Sequence, residues 1–94
     1  MKNKAAPAPW AEPEYSKADV IAIQRVAAGD AEPIHQKRVI DILVNKIAET
    51  YNLSFRPDDD GGERATAFAE GKRYVGSQLV KLMKANPSNY GTKE

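Results

Sequence analysis

His35 is the only imidazole in the chain, and the sequence contains no cysteine. Those two facts remove most side-chain chemistry at once. A zinc-thiolate site, a disulfide framework and a thiol nucleophile all need cysteine. A histidine acting as general base needs a nucleophile and an orienting acid within reach. Asp41 and Ser54 are the residues that could complete such a set, and neither stands in a motif that supports it. His35 falls in the first turn of a helix, where an ordinary surface role is expected. The run Asp58-Asp59-Asp60-Gly61-Gly62-Glu63 suggests calcium, and ligand spacing tests the idea. An EF-hand loop needs glycine at its sixth position and glutamate at its twelfth. Counting from Asp58 puts Glu63 sixth and Ala69 twelfth. Counting from Asp59 puts Arg64 sixth, although Glu70 then falls twelfth. A solvated loop leading into a helix is the expectation, with loose cation binding the lesser alternative. Gly61-Gly62 is not followed by the Gly-Lys-Ser/Thr ending of a phosphate loop. The expectation is a protein that is not an enzyme, with no catalytic residue, metal ligand or cofactor.

The whole chain sets the same bounds. At 94 residues it suits one domain with a modest core. The 14 Lys and Arg nearly cancel the 13 Asp and Glu, unlike the strongly basic balance of a general nucleic-acid binder. No apolar run approaches the roughly 20 residues that cross a bilayer, so no membrane contact is expected. Met1-Lys2-Asn3-Lys4 is followed by Ala-Pro-Ala-Pro, which does not read as a secretory signal.

Periodicity and punctuation predict an all-α fold. It is a small three-helix domain (16–85) with an extended, proline-rich N-terminal arm (1–15) and a short irregular tail (86–94). Pro7, Pro9 and Pro13 keep the arm extended. It carries Trp10 and Tyr15, and is either a disordered tail or a docking arm. A helix is expected over about 17–28, capped by Ser16 with Asp19 three residues later, with Val20, Ile23 and Ala27 on one face. A second is expected over about 33–51, opened by Pro33, with Ile40, Leu43, Val44, Ile47, Ala48 and Tyr51 as its stripe. Val39 and Ile42 widen that stripe enough for two partners. The break at 52–62 should be pinned to the core by Leu53 and Phe55. A third helix is expected over about 63–85, with Phe68, Lys72, Val75, Leu79, Leu82 and Met83 in one stripe. Gly71 and Gly76 inside it each cost about 1 kcal/mol relative to alanine, which close approach of a neighbouring helix would explain.

Two binding readings follow. Helix one, the turn at Gly29-Asp30 and a second helix bearing His35, Lys37 and Arg38 loosely suggest a helix-turn-helix. Lys72, Arg73, Lys81 and Lys84 form a second weak basic patch. Asp30, Glu32 and Asp41 dilute the first patch, and phosphate contact needs a net positive face. Nucleic acid is therefore the secondary expectation, as a DNA-packaging or regulatory accessory. Protein-protein binding is the leading one.

The string Thr66-Ala67-Phe68-Ala69-Glu70-Gly71-Lys72-Arg73-Tyr74-Val75-Gly76 resembles the signature of a family of short tailed-phage proteins, named after protein nineteen of a Bordetella phage. Members carry a Thr-x-Phe-x-Glu-Gly-Arg-Arg-x-Val-Gly-like core after an apolar helix, here Val39 through Leu53 and Phe55. The likeness spans about 33–83. Lys72 stands where arginine is usual, and the acidic loop and the arm lie outside the shared region. The family has no established catalytic activity, so the resemblance transfers no catalytic residue. It implies a virion or morphogenesis protein, assembled in the host cytoplasm. Its partners would be other phage structural proteins such as portal, capsid or connector, and a homo-oligomer is expected. The candidate partner-binding residues are Trp10 and Tyr15 of the arm, Phe55 of the loop, and Phe68, Glu70, Gly71, Arg73, Tyr74 and Gly76.

Overall fold

Ser16 and Asp19 start the first helix by capping each other. The Ser16 hydroxyl accepts the Asp19 N–H at 3.2 Å, and the Asp19 carboxylate accepts the Ser16 N–H at 3.1 Å. The resulting helix, α1, is Lys17–Ala28 in the computed structural model of the chain, which describes residues 7–91. Met1 to Ala6, including the basic start, and residues 92–94 of the tail lie outside the described residues. The face of α1 that is buried carries Asp19 and Ala22. Val20 and Ile23 lie to one side of it and are half-exposed, and Ala27 is exposed, so their shared face is not the core face.

Helix α2, Pro33–Asp41, begins at a proline whose missing N–H is no loss at a helix start. His35 accepts the Glu32 N–H through Nδ1 at 3.1 Å. The lone histidine thus satisfies one orphan donor of the helix N-terminus. At Ile42 the winding changes, and Ile42–Ile47 is a π-helical segment. The Ala48 N–H reaches back five residues to the Leu43 carbonyl at 3.0 Å. A π turn takes up an extra residue and rotates every following side chain around the axis. Val39, Ile42 and Val44 are buried, and beyond the π turn Ala48 and Thr50 are brought in whereas Tyr51 is turned out; Ile40 and Ile47 also face out. Regular winding ends at Ile47, four residues short of the expected Tyr51. The Thr50 N–H and hydroxyl both close onto the Val44 carbonyl, at 3.0 and 2.7 Å. Glu49 reverses the chain with φ of 49°.

The chain enters α3, Gly62–Lys84, through a short 3₁₀ turn at Asp58–Asp60 and then Gly61 and Gly62. Their φ values of 98° and 57° lie where only glycine is unstrained. The buried face of α3 is Gly62, Ala65, Ala69 and Gly76. Small residues let the helix axis approach the π segment closely, and this turns the expected stripe away from the core. Phe68, Val75, Leu82 and Met83 are all about half exposed. Asn86 caps a last 3₁₀ turn, Pro87–Asn89, by accepting the Ser88 N–H at 3.0 Å.

These contacts produce an all-α small domain with three helices and no strand among the described residues. Helix α1 packs on α2, and α3 packs on the π segment that continues α2. Helices α1 and α3 make little or no contact with each other, so the middle element joins them without closing a bundle. The radius of gyration is 16.4 Å, against about 12 Å for a compact chain of this length. Ile42, 1% exposed, is the one large side chain fully buried among the described residues. The rest of the core is Val39, Val44 and alanines.

Candidate binding surfaces

The Thr66–Gly76 string faces the chain's own loop. Thr66 Oγ1 accepts the Arg56 N–H at 2.8 Å. Ser54 donates to Glu70, which also accepts Arg73 at 2.9 Å. Arg73 Nε donates to the Thr50 carbonyl at 3.0 Å. Lys72 reaches Glu49 at 2.6 Å, an ion pair that anchors the left-handed turn. A Cβ on Gly76 would stand 1.7 Å from Thr50 Oγ1 and 2.9 Å from the Ala48 Cβ, so this glycine admits the returning chain. The neighbour that crosses there is the segment after the π turn. Gly71 is different: nothing lies within 4 Å of where its Cβ would be. Hydrogen bonds from Ser54 and Arg73 hold the Glu70 carboxyl below its ordinary value. Of the candidate partner-binding residues, Glu70, Arg73 and Gly76 are thus engaged within the chain.

The loop they hold has its polar residues inside. Ser54 and Arg56 are buried, while Leu53, at 77% exposure, and Phe55 point to solvent. The expected apolar pins are therefore replaced by polar ones. Arg56 Nη1 donates to the carbonyls of Leu53, Ser54 and Phe55 at 2.8 to 3.2 Å, and its Nε is buried without an acceptor.

A second polar centre lies between α1 and the middle element. Asp19, 2% exposed, accepts Arg38 of α2 at 2.8 Å and Lys46 of the π segment at 2.5 Å. The Lys46 hydrogen bond, then the Ser16 N–H and Arg38, hold its carboxyl well below the ordinary carboxylate range. From the sequence, Asp19 read only as a capping residue. Arg38 stands 19 positions away and Lys46 27, so no local pattern marked the cluster.

His35, Asp41 and Ser54 each bond elsewhere: His35 Nδ1 is occupied at the helix cap, Asp41 accepts Asn45 at 2.8 Å, and the Ser54 hydroxyl goes to Glu70. Among the described residues no three His, Asp or Glu side chains converge on a point where a metal could sit. Arg38, Lys72 and Arg73, counted above as basic surface, spend their charge on Asp19, Glu49 and Glu70.

The remaining candidates are apolar and outward-facing. The arm lies on its own domain: Trp10 meets Phe68 edge-on, with ring centroids 5.6 Å apart at 78°. The Pro9 carbonyl accepts Lys72 at 2.6 Å, and the Glu14 carbonyl accepts Lys46 at 3.1 Å. Trp10 nevertheless stays 56% exposed. Tyr15 lies beneath Lys46, 5.9 Å from ring centroid to Nζ. With Val20, Ile23, Ile42 and Ile47 it lines an open apolar groove of about 340 Å³. Tyr74 is exposed on α3, and Phe55 is exposed on the loop. The structure therefore joins Trp10 with Phe68, and leaves Tyr15, Phe55 and Tyr74 exposed.

Comparison of the chain with family models, curated proteins and solved structures finds no match. No helix among the described residues is long and apolar enough to cross a membrane.

Proposed function

We propose that the chain is a non-enzymatic, multi-copy component of a tailed-phage particle or of its assembly line. It acts by burying apolar surface against other structural proteins such as the portal, capsid or connector. The observation that carries this is the distribution of apolar side chains. Among the described residues one large side chain is fully inside, while Trp10, Phe55, Phe68, Tyr74, Val75 and Leu82 are about half exposed or more. Isolated exposed apolar residues are ordinary on a soluble protein, but a surface richer than the core beneath it favours a covered role. The Thr66–Gly76 resemblance supplies the phage context. Its residues serve the fold, by clasping the loop to α3, which leaves the aromatic and aliphatic surface for partners. Quantitative mass spectrometry of purified particles, or of assembly intermediates, tests the proposal. The chain should appear in fixed ratio to a ring-forming structural protein. Absence from both overturns it.

A further inference from the structure

We infer that α3 is a homodimer element, and that two copies of this chain pair through antiparallel α3 helices. The inference deepens the reading that this protein works by having its apolar surface covered. Phe68, Lys72, Val75, Leu79 and Leu82 recur at alternating four- and three-residue steps, the spacing of a two-helix seam. That seam lies beside the small-residue face that packs on the π segment, and the chain's own fold leaves its Phe68, Val75 and Leu82 about half exposed. Lys72, the one charged member, does not spoil it. Its amine is drawn off to Pro9 and Glu49, and only its methylene stem remains to line the seam.

Gly71 borders the seam close to the midpoint of α3, and nothing in the chain fills the space above it. A glycine weakens a helix interior, and Gly76 repays that by admitting Thr50. Gly71 finds its counterpart only when another helix crosses there. In a two-fold antiparallel pair that lays Phe68 of each copy along Leu82 of the other, the axis falls at Val75, and Gly71 faces Leu79 of the other copy.

The direction follows from the two halves of the seam. One half is roofed by the arm, with Trp10 against Phe68. The other half is barer: Val75, Leu82 and Met83 are each more than half exposed, although Gly76 is packed and Leu79 is half-buried. Antiparallel pairing lays each barer half along the Trp10–Phe68 ledge of the other copy, so a single contact covers both. Trp10, Phe68, Val75, Leu82 and Met83, each about half exposed, with their neighbours offer on the order of 600 Å² per copy. That reaches the lower end of specific interfaces, roughly 1,200 Å² in total.

The test uses the full chain in sedimentation equilibrium from about 1 µM to about 500 µM. We expect a reversible shift from monomer to twice the monomer mass, accompanied by a blue shift of the single tryptophan as the ledge is covered. Val75→Glu and Leu82→Glu alter exposed positions and should abolish the shift with helical circular dichroism unchanged. Gly71→Leu should weaken association at least tenfold, and Ile23→Glu on the α1 groove should leave it intact. Leu82→Cys reports direction, because antiparallel pairing about Val75 holds the two cysteines about 21 Å apart along the axis. They should stay unlinked under oxidation. A monomer at every concentration, a dimer indifferent to Val75→Glu and Leu82→Glu, a dimer lost on Ile23→Glu, or ready cross-linking through Leu82→Cys overturns the inference. A persistent monomer found in particles sinks the pairing alone, whereas a dimer absent from particles sinks only the virion role.

Discussion

The two glycines inside α3 separate what the fold requires from what it leaves open. Gly76→Ala drives a methyl into Thr50 and Ala48, and overpacking of this kind costs about 1–3 kcal/mol. Gly71→Ala meets nothing within the chain and should raise monomer stability by up to about 1 kcal/mol. Urea unfolding of dilute protein should therefore move the midpoint in opposite directions for the two variants. Equal shifts would remove the distinction. Arg56 is the other residue whose position decides its worth. It hydrogen-bonds three successive carbonyls from inside the loop. Arg56→Met keeps the volume and removes the donors, and loss of such charged hydrogen bonds costs about 2 kcal/mol. The same urea measurement should show it, with a larger effect than Phe55→Ala, because Phe55 is mostly in solvent.

At the scale of elements, the chain announces its helix starts and conceals which face is buried. Ser16, Asp19 and Pro33 are local signals, and each stands where a cap or first turn needs it. The all-α class was legible for that reason. The π segment was not, because a pattern counted at three- and four-residue steps assumes α winding throughout. One added residue at Ile42–Ile47 moves Tyr51 out and brings Thr50 in. The buried face of α3 is hidden in the sequence because large apolar residues do not mark it. Ala65, Ala69 and Gly76 mark it instead, since the close approach of the returning chain excludes anything larger. Leu53 and Phe55 misled in the same way, with Ser54 and Arg56 turned inward to reach α3 and the loop carbonyls. The arm is an element whose attachment can be measured. Trp10→Ala removes its edge contact with Phe68 and should cost about 1 kcal/mol, leaving helix content unchanged. A loss of helix on this change would show that the arm does more than lie on the domain.

The molecule as a whole is two packing units on one rod, and acid should separate them. Beside the packing of Ala22, helix α1 is held to the middle element across Asp19, which joins α1 to Arg38 of α2 and to Lys46 of the π segment. The folded state holds the Asp19 carboxyl below its ordinary value of 3.8, so folding favours the charged form. The stabilisation is then complete above that value and is lost as pH falls from there toward the lower folded one. Glu70, held down by Ser54 and Arg73, acts with the same sign where α3 meets the loop. Stability should therefore be flat near neutrality and decline below about pH 4. Asp19→Asn separates the two contributions. The variant should be less stable than the parent at pH 7, because the charged contacts to Arg38 and Lys46 are gone at every pH. Its decline in acid should be shallower, since only Glu70 and weaker groups remain to titrate. Urea midpoints from pH 7 to about pH 2, with α1 followed by hydrogen exchange, measure both effects. Parallel curves for parent and variant would mean that Asp19 does not hold α1 in place. The groove of Tyr15, Val20 and Ile23 would then be a surface free to open, since it is lined from α1 on one side and from the middle element on the other.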